Sequence, residues 1–270
     1  MDNTQQKKQQ ANSLRKQGLL EEALTIYREL FTSNTRDGYD TAGYLHCLRK
    51  LKMYKEAVAV ADTCDKAYLN LNWCKNEIIW TYIGSIKTND ENAPLGNVLS
   101  VANRIIDLNP DDLQKNSTVL FVLKKAKQFK KWDIASQWVD KIDLSTLDKK
   151  PITLQKGNTA WSNYLIWHHY KVNCCFFQKK YKEAIEMIND IRNETIPVSK
   201  YFRRLEAAIY EQLGQYETSL EILAELCGKK NADWWVIHQY ANVLNVVGNK
   251  EEALEKLYLA ASFSNKIESI

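Results

Sequence analysis

Two adjacent pairs, His168-His169 and Cys174-Cys175, and one lysine run are the residues of this 270-residue chain whose types and spacing could do chemistry. Neither pair reads as a metal site. Adjacent residues on a helix point about 100° apart, so one pair cannot share an ion, and neither histidine lies on the i, i+4 face of Cys174. The histidines are expected either packed or facing a groove, and no metal or cofactor is expected. The six cysteines (Cys47, Cys64, Cys74, Cys174, Cys175, Cys227) lack C-x-x-C spacing, so buried reduced thiols are expected rather than a disulfide framework or a zinc site. Lys124, Lys125, Lys127, Lys130 and Lys131 fall close together with Phe129 and Trp132 among them, a cluster able to meet phosphates. Asp133, Asp140 and Asp143 nearby favour a solvated turn instead. No nucleophile–base pairing, P-loop, G-x-G-x-x-G or paired carboxylate is readable. Glu21-Glu22 and Glu251-Glu252 stand at helix starts, where acids suit the helix dipole. An enzyme is not expected.

The elements that must position these residues are helices. Four prolines and nine glycines are few for an all-β or disordered chain, and 45% hydrophobic content over this length can bury a large core. A net charge of +4 neither demands nor excludes an anionic partner. No apolar run is long enough to span a membrane, and MDNTQQKKQQ has no apolar core of a signal peptide. A cytoplasmic location is expected.

Those helices repeat. Leu14-x-x-x-Gly18-x-Leu20-x-x-Ala23-x-x-x-Tyr27-x-x-Leu30 recurs as Leu48-x-x-x-Lys52-x-Tyr54-x-x-Ala57. The same pattern turns again near Val98, Ala135, Ala184, Ser219 and Ala253, with successive anchors 34, 41, 37, 49, 35 and 34 residues apart. A loop from Thr88 to Pro94 is expected in the third copy. The 49-residue step contains the polar segment Asp143 to Thr159, with Pro151 and Gly157, the expected long loop or subdomain break between 4–142 (repeats 1–4) and 160–263 (repeats 5–7).

This pattern resembles the tetratricopeptide repeat, a 34-residue helix-turn-helix, over roughly 4–263. Trp80-x-x-Ile83-Gly84 is similar to the family's first-helix element, and Gly214-x-Tyr216-x-x-Ser219 to its second-helix element. Lysine replaces the turn glycine at Lys52, Lys130 and Lys179, and Val98 replaces an alanine; these departures are expected to tilt local packing. The resemblance implies an all-α, right-handed α-solenoid of about seven such repeats, with a concave groove lined by first helices. By the family's register the groove would present Lys8, Asn12, Tyr39, Ala42, His46, Arg49, Thr81, Ser85, Leu120, Lys124, His169, Asn173, Arg204, Ala208, Trp235, His238 and Asn242. Most of the eight tryptophans are expected in the inter-repeat core. A groove so rich in amide and cationic donors suits an extended peptide or an acidic helix. One subfamily clamps a C-terminal carboxylate; Lys8 and Asn12 match its first two positions, but Gly43, Ile78 and Tyr82 occupy the rest and cannot supply the charge. Binding of chaperone tails is disfavoured.

A second resemblance rests on Lys229-Lys230-Asn231-Ala232-Asp233-Trp234-Trp235-Val236, His238 to Ala241, and Asn76 to Gly84. These stretches are similar to bacterial proteins that join an N-terminal tetratricopeptide domain to a C-terminal cold-shock-like domain of uncharacterised function, in defence-type gene contexts. It implies that this chain is the helical half of a longer protein. The final repeat has no polar-faced capping helix, and 264–270 read as a tail or the start of a further segment. The expected function is a non-catalytic scaffold binding a protein or peptide in the groove or at an end face, including self-association through the uncapped C-terminal repeat. The alternative is nucleic-acid binding through Lys124 to Lys131.

Overall fold

The computed structural model describes residues 3–88, 93–153, 159–194, 199–228 and 232–264. Most of the expected 88–94 loop, the centre of the 143–159 segment, Lys229 to Asn231 and nearly all of 264–270 lie outside the described residues. The chain divides into two compact units, Met1–Asp148 and Lys149–Ile270. Among the described residues no helix is long and apolar enough to cross a membrane.

The first unit holds α1 (Asn3–Lys16), α2 (Leu20–Thr32), α3 (Gly38–Lys50), α4 (Tyr54–Asp62), α5 (Asn72–Thr88), α6 (Leu95–Asp107), α7 (Asp112–Gln128) and α8 (Trp132–Val139), with a short 3₁₀ helix at Lys66–Asn70. The second holds a two-residue β-ribbon, β1 (Ile152–Thr153) against β2 (Thr159–Ala160), then α9 (Asn163–Phe177), α10 (Tyr181–Asn193), α11 (Lys200–Gln212), α12 (Tyr216–Cys227), α13 (Trp234–Val246) and α14 (Lys250–Ser264). Odd-numbered helices are the first, and even-numbered the second, of seven hairpins. The architecture is an all-α helical repeat.

Start signals differ between the two kinds of helix. Several first helices are opened by a side chain that accepts an orphan N–H: Asp37 and Asp111 in capping boxes, Ser162 at Leu165. Among the described residues six of the second helices need no such cap, because the preceding helix ends in a motif that reverses the chain. Gly18, Gly214 and Gly248 have φ of 82°, 73° and 92°, the left-handed region where glycine carries no Cβ penalty. Lys52, Lys130 and Lys179 stand at the same place with φ of 59°, 55° and 61°. They close the same bonds: Lys52 N–H to the Arg49 carbonyl and Met53 N–H to that of Leu48, at 3.1 and 2.8 Å. The lysines therefore keep the glycine turn and carry its strain in their own backbones.

Packing between hairpins depends on missing atoms. All seven anchors, Ala23, Ala57, Val98, Ala135, Ala184, Ser219 and Ala253, are buried. A Cβ on Gly43 would lie 2.3 Å from the Tyr27 hydroxyl, and one on Gly84 would lie 2.1 Å from the Tyr54 ring. Each second-helix tyrosine thus occupies space that the next first helix leaves empty. In the second unit one core joins α9, α10 and α11 through Val172, Ile188, Ile191, Phe202 and Ile209. Another joins α11, α12 and α13 through Ala207, Leu223, Leu226 and Val243.

Polar locks join neighbouring first helices. Glu77 on α5 is buried and accepts from His46 Nδ1 and Arg49 Nε of α3, each at 2.9 Å. Burial alone would raise its carboxyl; the hydrogen bonds from His46 and Arg49 and the guanidinium charge outweigh it and hold the group below the ordinary carboxylate range.

Two measurements follow from this packing. Lys52→Gly, Lys130→Gly and Lys179→Gly should each stabilise the chain by about 0.5–1 kcal/mol, left-handed strain relieved less the greater chain entropy of glycine, whereas Gly84→Ala should cost about 1–3 kcal/mol by overpacking against Tyr54; urea midpoints that move in neither direction would contradict the turn and close-approach assignments. Glu77→Gln should cost about 1–3 kcal/mol near neutral pH, less than for a fully enclosed pair because His46 and Arg49 keep partial solvent access. A carboxyl depressed by folding contributes stability that is complete above its unfolded value of about 4.3 and lost as pH falls through the lower folded value. Urea midpoints of the two proteins should therefore converge in that acid range, and a constant gap down to the lowest pH would show that the charge is not what Glu77 contributes.

Candidate functional site

In the first unit α1, α3, α5 and α7 pack side by side, and in the second α9 packs against α11. The first helices of each unit so share a wall, and most of the expected groove residues are on it. Lys8 is ion-paired with Asp37 and Asp40 at 2.9 and 2.7 Å, and Asn12 Oδ1 accepts from Arg15 at 2.8 Å. Tyr39 is 63% exposed with its ring 6.3 Å from that of Trp73. His46 and Arg49 are both engaged on Glu77. Ser85 donates to the Tyr82 carbonyl at 2.8 Å, back into its own helix. Ala42 and Thr81 are wholly buried, because a neighbouring first helix covers them, and so present nothing to a partner.

The second unit gathers aromatic rings on the same set of helices. Tyr201 stacks on Trp235 at 5.7 Å and 18°, and Trp161 meets Tyr201 edge-on at 5.7 Å and stacks on Phe202 at 5.5 Å. The Arg204 guanidinium lies 5.0 Å over Trp235 while its Nε donates to Gln239 at 2.9 Å. His169 packs edge-on against Trp161 and Phe202, and Asn173 donates to the His169 carbonyl at 2.6 Å. His238 and Asn242 are exposed neighbours whose Nδ1 and Nδ2 are 3.3 Å apart. His168 is buried, and its Nδ1 must carry a proton because it faces the Tyr164 carbonyl at 2.9 Å; burial lowers its pKa. Among the described residues no three His, Cys, Asp or Glu gather to hold a metal ion.

The lysine run is not a single face. Lys125 is fully buried, with Nζ on Gln128 Oε1 at 2.9 Å, since it lies on the side of α7 that packs with Val122 and Ala126. Lys124, Lys127, Lys130 and Lys131 are exposed.

A feature that spacing alone did not expose is the distribution of charge between the two helix sets. In the first unit the first helices carry twelve Lys or Arg and three Asp or Glu, and the second helices three and seven. In the second unit the counts are four and two on first helices, against four and nine on second helices. Its signal was present in the sequence but appears only when charges are summed helix by helix. A different surface lies on α14, where Ala253 and Ala260 are buried while Leu254, Leu257 and Tyr258 are 54%, 36% and 71% exposed. Their i, i+3, i+4 spacing makes one apolar stripe.

No protein-family model matches the chain, and no curated protein matches it. Among solved structures it is similar to a tetratricopeptide repeat protein from Parabacteroides merdae, at 13% identity and a TM-score of 0.44 over 97% of this chain and 94% of that one. It is also similar to the pentatricopeptide repeat protein PPR10 from maize, at 15% identity and a TM-score of 0.47 over 97% of this chain, and to a monomeric mutant of IFIT1 with m7Gppp-AAAA, at 14% and 0.44 over 93%. The chain spans 34% of the maize protein and 58% of the IFIT1 chain. The fold is read from the chain's own geometry: among the described residues, helical hairpins packed through small buried anchors, six of them reversed at left-handed turns, make a tetratricopeptide-type helical repeat.

Proposed function

We propose that the chain is a non-catalytic cytoplasmic scaffold whose first-helix wall takes an extended, acidic polypeptide segment. The carrying observation is the opposite charge of the two helix sets: a basic wall of first helices backed by acidic second helices. Such a distribution steers an anionic partner to one side and repels it from the other. Within the second unit the first helices carry Arg204, His169, Asn173, His238 and Asn242, a mixture of cationic, amide and imidazole groups that suits a peptide backbone as well as its carboxylates, and within the first unit Lys124 is an exposed cation of the wall. The displaced carboxyl of Glu77 on the wall belongs to a helix–helix lock, which supports the non-catalytic reading. Six free thiols suit a reducing compartment.

A nucleic acid on Lys124, Lys127, Lys130 and Lys131 is the competing reading, favoured by their common exposure. It is the weaker one, because Lys125 is buried and several other wall cations already face carboxylates, as Lys8 does, so the remaining field is moderate rather than phosphate-dense.

Fluorescence polarisation at low salt separates the two, using a labelled Glu/Asp-rich peptide, a Lys-rich counterpart and a single-stranded oligonucleotide. The acidic peptide should bind, and Lys124→Glu or Arg204→Glu should weaken it about tenfold, the loss of roughly 1.4 kcal/mol, while Glu217→Lys on α12 should not. Salt-sensitive binding of the oligonucleotide without the peptide would replace this reading with the competing one, and no binding of either would sink both.

The stripe Leu254, Leu257 and Tyr258 supports an accompanying proposal, self-association with a second copy through α14. Light scattering should find a concentration-dependent dimer that Tyr258→Glu abolishes; a monomer throughout the micromolar range would overturn it.

A further inference from the structure

The connection between α4 and α5 brings together two thiols that lie ten positions apart. Cys64 follows the last turn of α4, and Cys74 is the third residue of α5. Their sulfurs are 3.9 Å apart, which is van der Waals contact. Cys74 is wholly buried and Cys64 only partly, so Cys64 is the more accessible residue of the pair. From this geometry we infer that Cys64 and Cys74 form a peroxide-sensitive dithiol, with Cys64 the attacking sulfur and Cys74 the resolving one.

The surroundings support that division of labour. Accepting the Cys74 thiol hydrogen bond lowers the pKa of Cys64 and the Arg36 guanidinium adds to the effect, together outweighing burial and the Asp65 carboxylate, which raise it. Cys74 is driven the other way, by donating that bond and by burial. Two of the other buried thiols are poor competitors: burial pushes Cys47 and Cys175 up to about 11. A thiolate is the reactive form, so Cys64 is the sulfur that a hydroperoxide meets first.

The chemistry balances with a hydroperoxide as the only co-reactant. The Cys64 thiolate attacks one peroxide oxygen, the O–O bond breaks, and hydroxide leaves, giving a sulfenic acid at Cys64. The Cys74 sulfur then attacks the Cys64 sulfur, its own proton leaving with the displaced hydroxyl as water. Two thiols and one hydrogen peroxide yield one disulfide and two waters. Closing from contact distance to a bond of about 2.05 Å is within reach of side-chain rotation at the end of α4.

The ring so formed encloses the 3₁₀ helix Lys66–Asn70. That segment holds two neighbouring elements in place: the Tyr68 hydroxyl donates to the Arg36 carbonyl at 3.2 Å, and Tyr68 and Leu71 lie against Gly38 at the start of α3. Oxidation therefore pins the junction between the second and third hairpins of the first unit, and a reductant releases it.

The test uses the full chain, treated with hydrogen peroxide, then alkylated and digested for mass spectrometry. A single cross-link between the Cys64 and Cys74 peptides should form, be reversed by dithiothreitol, and raise the urea midpoint while it lasts. Before oxidation, N-ethylmaleimide should label Cys64 roughly tenfold faster than Cys47 or Cys175. In Cys74→Ser the sulfenic acid should persist at Cys64 and be captured by dimedone. In Cys64→Ser, a substitution at a half-buried helix end that spares the core, no cross-link should form. Oxidation of Cys64 to sulfinic acid without a cross-link in the unsubstituted protein would overturn the inference. So would a cross-link that uses another cysteine, or peroxide consumption by Cys64→Ser equal to that of the parent.

Discussion

A helical hairpin has an apolar stripe on each of its helices and can cover only part of it by itself. Covering the rest demands that the next hairpin come closer than ordinary side chains allow. The buried anchors from Ala23 to Ala253 are where that demand is met within each hairpin. Gly43 and Gly84 meet it between hairpins, where Tyr27 and Tyr54 occupy the space a methyl group would need. The first hairpin is keyed to the second, and the second to the third, by an absent atom. The same closeness forces the chain to reverse within about three residues, and that forces the left-handed conformation at the turn. Glycine is the least strained residue there. Lysine is tolerated because the turn asks only for backbone hydrogen bonds, which Lys52, Lys130 and Lys179 supply as glycine does.

Close packing also governs where charge can reside. A first helix has neighbours on two sides, so carboxylates on its flanks lose water and need a partner from the adjacent repeat. Glu77 finds His46 and Arg49; Glu206, buried on α11, finds Arg192 and Arg203 at 2.9 and 2.7 Å. Unpartnered acids would be costly in such positions, whereas long basic side chains can bury their stems and carry their heads to the surface. Second helices are covered less, and their acids stay hydrated. The basic wall and the acidic backing are thus consistent with the packing order before any partner is considered.

Helix number, turn positions and the alternation of first and second helices were legible in the sequence, because each rests on local periodicity and a small residue at fixed offset. The groove residues were legible only as positions. Whether a side chain there is available depends on what stands one repeat away: Lys8 meets Asp37, Arg49 meets Glu77, Lys87 meets Ser117, and Arg204 meets Gln239, at sequence separations of 29, 28, 30 and 35. A complementary pair spaced by about one repeat is therefore a readable signal for a lock, and it marks Lys8 and Arg49 as engaged rather than open donors. Lys125 failed for a different reason. Five lysines within eight residues look like one patch, but a helix turns 100° per residue, and the same run that exposes Lys124 and Lys127 points Lys125 into the core.

Strict repetition also limits what chemistry a chain of this kind can hold. Equivalent positions in successive hairpins are displaced along the stack, so two reactive groups that must touch seldom arise from the regular pattern. They arise where the pattern is interrupted. In the first unit the connection from α4 to α5 runs through nine residues and a 3₁₀ helix, whereas α2 reaches α3 through five and α6 reaches α7 through four. That extra length lets the chain leave the end of α4, cover the start of α3, and return to place Cys74 against Cys64. Cys64 stands seven residues after its anchor Ala57, where the other hairpins bury Leu30, Ile105, Ile142, Ile191, Leu226 and Ala260, so the position asks for an apolar group and not for sulfur. What packing does explain is the difference between the two cysteines: the first turn of α5 is enclosed by its neighbours, while the end of α4 faces solvent. An interruption that produces one sheltered and one more accessible thiol in contact supplies the asymmetry that oxidation to a disulfide needs, and it does so at a junction between repeats, where a cross-link bears directly on how one hairpin is held against the next.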